Sequence, residues 1–211
     1  GSTIYQNSEL YKIENDNSSD WLKKEIDELK QIKNIDIKTR TSVAAFHSYN
    51  FLLARENLTD HLTLSERKDK IRQSLWKIRA KKVIIATGAI ERPLIFNNND
   101  RPGILLSSAV KKYIDYFGVI GGKKSVVFTN NDSGYETAVS LSEKGVKVNY
   151  IIDIRKKNSS ELIKKVENLG IKIFWEHTIV GTDGYRRLKK ISIMSLSKDG
   201  SLVTGEKINI Y

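Results

Sequence analysis

Between residues 125 and 175 the chain alternates apolar runs of strand length with amphipathic stretches of helix length, and this rhythm restricts its fold more than any other feature. Ser125-Val126-Val127-Phe128 is a buried strand, a polar loop follows over 129–133, and a helix carries Tyr135, Ala138, Val139 and Leu141 on one face before Gly145 ends it. A strand over 146–152, a helix over 161–169 and a strand over 171–175 repeat the pattern. Strand, helix, strand, helix, strand predicts a parallel sheet with right-handed crossovers, so the fold class is α/β.

The flanks read differently. Ser107 and Ser108 precede Val110, Tyr113, Ile114 and Phe117, a short amphipathic helix that stops at Gly118. After the parallel segment come strands over 178–180, 188–194 and 202–210, the last two joined by a hairpin turn at Lys198-Asp199-Gly200-Ser201. Towards the amino terminus, Ser18-Ser19-Asp20 offers caps for a helix over about 21–33, with Trp21, Leu22, Ile26, Leu29 and Ile32 as its apolar stripe. Short apolar stretches at 35–37, 42–46 and 51–54 suggest an antiparallel meander, and charged 57–70 reads as a surface excursion. Residues 74–79 alternate again, and Lys82-Val83-Ile84-Ile85-Ala86 reads as a central strand buried on both faces.

Composition removes several kinds of chemistry. With no cysteine among 211 residues there is no disulfide framework, thiolate metal site, Cys nucleophile or redox-active Cys pair. The three histidines, His47, His61 and His177, are far apart and lack ligand spacing, so no metal centre is expected. Apolar runs such as 83–86 and 150–152 are strand-sized, well short of the ~18 residues of a membrane helix. Gly1-Ser2-Thr3 has neither the basic nor the apolar region of a secretory signal, and a cytoplasmic location is the expectation. The net charge of +11 is spread along the chain as 26 Lys and 10 Arg. That scatter describes a solvated Lys-rich surface rather than a nucleic-acid footprint.

Two motifs carry possible binding chemistry. At the turn after the 125–128 strand, the positions of a G-x-G-x-x-G loop hold Thr129, Asn131 and Gly134, so only the glycine that lets helix and strand pack closely is present. Thr and Asn carry a Cβ that obstructs approach of the backbone to a pyrophosphate. Asp153 ends the next strand, where an acidic residue accepts ribose hydroxyls, although an Asp there also serves turns. The second motif is the run 82–86 ending in Ala86-Thr87-Gly88-Ala89 and followed by Ile90-Glu91-Arg92-Pro93. Small residues at the carboxyl end of a strand let a ligand lie against the backbone; the alternative is a core strand ending in a turn. Glu91 and Arg92, adjacent and opposite in charge, read as a solvated turn rather than a catalytic pair.

The string from Leu75 through Phe117, with Trp76-Lys77-Ile78-Arg79, Ala86-Thr87-Gly88-Ala89-Ile90-Glu91-Arg92-Pro93-Leu94 and Asn98-Asn99-Asp100-Arg101-Pro102-Gly103, resembles the α subunit of heterotetrameric sarcosine oxidase. The resemblance continues through Val126-Val127-Phe128-Thr129-Asn130-Asn131-Asp132-Ser133 and covers nearly the whole chain. More broadly it points to flavoprotein pyridine-nucleotide oxidoreductases, in which one dinucleotide-binding domain is inserted into another. It implies that residues 1–104 are the middle of the first such domain, incomplete here, and 105–211 the inserted second one. The implied fold is thus a Rossmann-like domain with a parallel sheet plus an antiparallel meander, packed on an incomplete second nucleotide-binding domain.

Position by position, the resemblance implies that Val43 offers backbone groups to an adenine, that Thr87 and Gly88 line the pyrophosphate or ribose, and that Arg92 stands nearby. The implied cofactor is NAD, its site incomplete in this chain, with FAD and FMN held elsewhere in the intact complex. The implied activity is oxidation of sarcosine by oxygen to glycine, hydrogen peroxide and a one-carbon unit for tetrahydrofolate. Implied partners are the other subunits, above all the flavin-bearing β subunit, with self-association through an exposed sheet edge as a further expectation. No catalytic residue is nominated, and the isolated chain is expected to be inactive. The alternatives are a related amine or amino-acid dehydrogenase α subunit and a non-catalytic assembly module.

Overall fold

The computed structural model describes residues 12–13 and 16–211. They fall into two compact units, one of Asp20–Ala89 and one of Ile90–Tyr211 together with the described residues before Asp20.

In the unit Asp20–Ala89, helix α1 (Ser18–Gln31, begun just outside the unit) is followed by a meander of β3 (Thr41–His47), β4 (Phe51–Asn57) and β5 (Gln73–Arg79), paired antiparallel in that order. Two two-residue strands, β1 (Lys12–Ile13) and β2 (Asp16–Asn17), precede the helix. The Ser18-Ser19-Asp20 group forms the first turn of α1 rather than capping it from outside. The strand expected at 35–37 is absent. Ile35 instead donates its amide to the Ile32 carbonyl and continues the turn that closes α1, because two alternating positions are too few to hold a ladder. Within 57–70 lies a single helical turn, α2 (Leu64–Arg67), started by a capping box in which the Thr63 amide donates to the Glu66 carboxylate at 3.0 Å.

The larger correction concerns residues 82–86. They form no strand, and Ile84 and Ile85 are 92% and 68% exposed. A strand buried on both faces needs a hydrogen-bonded neighbour and two covering layers. Among the described residues no strand lies alongside this run, so the apolar side chains stay in solvent.

The unit Ile90–Tyr211 is layered. A parallel sheet of β6 (Lys124–Thr129), β7 (Lys147–Asp153) and β8 (Lys172–Trp175), ordered as in the chain, is crossed by α4 (Ser133–Glu143) and α5 (Glu161–Asn168). With α3 (Ser107–Asp115) they cover one face, where Val127, Val148 and Ile151 pack among Tyr135, Ala138, Ile163 and Val166. The alternate residues Val126, Phe128, Tyr150 and Ile152 turn to the other face and meet an antiparallel sheet of β9 (His177–Asp183), β10 (Lys190–Leu196) and β11 (Val203–Ile210). Period-two alternation along β6, and along β7 beyond a register shift between Val148 and Tyr150, thus feeds two apolar cores from one sheet. The turn expected between β10 and β11 is present: Asp199 accepts from the Ser197 and Ser201 hydroxyls and the Ser201 amide, which pushes its carboxyl down to about 2.

Ile152 is fully buried where the two sheets meet. Ile152→Ala should cost about 2–5 kcal/mol, read as a lower urea midpoint with an unchanged denaturant slope. Asp199, depressed below its usual value, stabilises its turn above about pH 4 and loses that contribution as pH falls towards 2. A carboxyl titration by nuclear magnetic resonance should place Asp199 near 2.

Candidate functional site

The carboxyl end of the parallel sheet, where open α/β sheets hold ligands, brings together Gly134 and Asp153. β6 ends at Thr129, the loop 130–132 turns into α4, and β7 ends at Asp153, paired with Thr129 across the sheet. Gly134 is buried against Thr129. A methyl group on Gly134 would lie 2.5 Å from both Cβ and Oγ1 of Thr129, so close helix–strand packing is the role of this glycine.

The loop satisfies its own polar groups. Thr129 Oγ1 donates to the Asn131 carbonyl at 2.8 Å and accepts from the Asn131 amide at 3.1 Å. Asn131 Oδ1 accepts from the Ser133 amide at 3.0 Å and the Ser133 hydroxyl at 2.6 Å. An amide at the start of α4, where a phosphate oxygen would be received, is therefore occupied by a side chain of the loop.

Asp153 is fully buried, and both of its oxygens are engaged. Oδ1 accepts from the Arg155 amide at 2.9 Å and Arg155 Nε at 3.1 Å; Oδ2 accepts from the Tyr135 hydroxyl at 2.7 Å and Arg155 Nη2 at 2.8 Å. Arg155 Nη1 reaches Asp132 at 2.9 Å, so the guanidinium spans from the sheet end to the loop. Its hydrogen bonds to Asp153 raise the guanidinium above its usual range, and burial followed by the hydrogen bond to Asp153 raises the Tyr135 phenol. Tyr135 also stacks on Trp175, ring centroids 6.1 Å apart. Sequence reasoning missed Arg155 and Tyr135. The signal was there in the Asp-x-Arg spacing, which lets a long side chain fold back onto the carboxylate two residues earlier.

The other nominated residues belong to other elements of the chain. Val43 is on β3, opposite Ala54 and 59% exposed. Thr87 and Gly88 follow β5 in an exposed, non-strand stretch; Gly88 has φ +72° and nothing within 4 Å of where a Cβ would project. Arg92 is exposed at the start of the other unit. Its neighbour Glu91 caps α3, where Leu106 supplies no side-chain cap: the two carboxylate oxygens accept from the amides of Ser107 at 3.0 Å and Ser108 at 2.7 Å. The solvated-turn reading of Glu91 is thereby corrected, since orphan amides at a helix start attract a carboxylate within reach.

No protein-family model matches the chain. Among curated proteins it is 32% identical over 193 residues to sarcosine oxidase subunit alpha of Corynebacterium sp. (strain P-1), across 90% of this chain and 20% of that protein. The chain resembles a stretch of sarcosine oxidase subunit alpha. The corresponding protein of Rhizobium meliloti (strain 1021) is 31% identical over 186 residues, 88% of this chain and 18% of that one. The chain spans about one fifth of the length of the curated relatives it matches. Among solved structures, L-proline dehydrogenase from P. horikoshii aligns with a TM-score of 0.50 at 18% identity, over 99% of this chain and 32% of that chain. The NAD-dependent persulfide reductase from A. fulgidus aligns at 0.51 and 16%, over 84% and 31%. These two show the fold, an α/β arrangement of the Rossmann kind.

Gly134→Ala should destabilise the unit by about 1–3 kcal/mol through overpacking. In a Thr129→Gly background the same change should cost much less, since the obstructing side chain is gone; equal costs in both backgrounds, measured by urea denaturation, would place the strain elsewhere. Glu91→Ala should cost about 0.5–2 kcal/mol by uncapping α3, with faster amide exchange at Ser107 and Ser108.

Proposed function

We propose that this chain is the dinucleotide-binding segment of an oxidoreductase α subunit of the sarcosine oxidase kind, with residues 1–104 contributing to the first nucleotide domain and 105–211 forming the inserted one. The observation that carries this reading is the match to sarcosine oxidase subunit alpha along nine tenths of the chain. The open backbone after residue 86 supports it. Ala86, Thr87, Gly88 and Ala89 are exposed, and the positive φ of Gly88 leaves its surface bare, so the residues present fit a ligand laid against the main chain. In this reading Val43 meets the adenine through its backbone, Thr87 and Gly88 line the pyrophosphate or ribose of NAD, and Arg92 adds positive charge. These residues bind and orient; none performs chemistry. Flavins and the oxidation of sarcosine to glycine belong to the whole assembly, with a flavin-bearing subunit as partner in the cytoplasm. Among the described residues no helix is long and apolar enough to cross a membrane.

The 211 residues contain no G-x-G-x-x-G turn, so by itself the chain should bind NAD only at millimolar concentrations or not at all; micromolar affinity by titration calorimetry would overturn that expectation. In the full assembly carrying this chain, Gly88→Ile should lower the NAD released on denaturation by about tenfold, with sarcosine-dependent hydrogen peroxide formation as companion readout. Undiminished NAD content would remove Gly88 from the site. Peroxide formed from another secondary amine but not from sarcosine would replace the substrate.

A further inference from the structure

The end of β7 carries an acidic residue where dinucleotide folds carry one, and its acceptor sites are already taken. A carboxylate has about four lone-pair sites, and those of Asp153 are met by the Arg155 amide, Arg155 Nε, Arg155 Nη2 and the Tyr135 hydroxyl. Three of the four donors belong to Arg155. In a dinucleotide fold the acidic residue at this position accepts the paired hydroxyls of a ribose, and the forked donors of a guanidinium present the same pair to it. Arg155 is anchored at its far end by Asp132, on the loop that would face the adjoining phosphates. Asn131 meanwhile fills the amide at the start of α4.

We propose that Arg155 is the specificity-determining residue of the 90–211 unit: its guanidinium stands where a ribose would stand, holds Asp153 closed, and bars the ribose of an adenine nucleoside or dinucleotide from the end of β7. A ribose brings two neutral hydroxyls against a charged, bidentate and covalently tethered competitor. The exchange would strip the buried carboxylate of its counter-ion, which is unfavourable without a replacement positive charge. The exclusion is independent of what the Asp20–Ala89 unit binds.

The test uses adenosine, which needs no phosphate loop, and reads only this corner. In the wild-type chain the Arg155 Nε–H resonance should remain unchanged up to on the order of 10 mM adenosine, enough to fill a site of roughly millimolar Kd; a saturating shift would overturn the proposal. Arg155→Ala, checked for native far-ultraviolet dichroism, should bind adenosine at least about tenfold more tightly than wild type by calorimetry, and the gain should vanish in Arg155→Ala/Asp153→Asn. A folded Arg155→Ala that gains nothing, or a gain that survives loss of the Asp153 charge, would overturn the assignment. Should Arg155→Ala not fold, the wild-type resonance decides. Binding in the other unit would not depend on Asp153, so its presence or absence cannot imitate either result.

Discussion

A carboxylate sealed away from water must be given its hydrogen bonds and its counter-charge by the protein itself, and the arrangement at the end of β7 follows from that requirement. Asp153 takes its neutralising charge from a residue two places along the chain and its remaining hydrogen bond from Tyr135 on α4. Strand, loop and helix are thereby tied at a single point. Tyr135 carries the connection onward to Trp175 at the end of β8, so every strand of the parallel sheet ends within one polar and aromatic cluster.

Below that cluster the unit is held by apolar burial. β6 and β7 send alternate side chains into two cores, one beneath the helices and one against the antiparallel sheet. Because each strand serves both, neither layer can slide without exposing its own set of side chains. The loop at the sheet end is pinned by hydrogen bonds among Thr129, Asn131 and Ser133.

The alternation over 125–175 was legible because each β and α segment there is decided by neighbours close in the chain, and Gly134 was legible because its neighbour across the turn is fixed by the motif. Residues 82–86 were not. Composition says only that Val83, Ile84 and Ile85 prefer burial; whether burial occurs depends on strands placed beside them, which no local pattern specifies. Asp153 was singled out by position, while its surroundings were not legible, since Arg155 reads as one more basic residue among Arg155-Lys156-Lys157. Glu91 went unrecognised for a related reason: the amides that need it belong to a helix beginning sixteen residues later.

The fit between Thr129 and Gly134 also sets an order of events for any lineage descending from this sequence. Bulk can appear at 134 only after it has left 129, because the two positions share one volume. Removing the threonine first, however, takes away the hydroxyl that holds Asn131 in place. A change to an open glycine turn therefore passes through an intermediate with a slackened loop, and that narrow route would preserve the present configuration even where nothing selects for it.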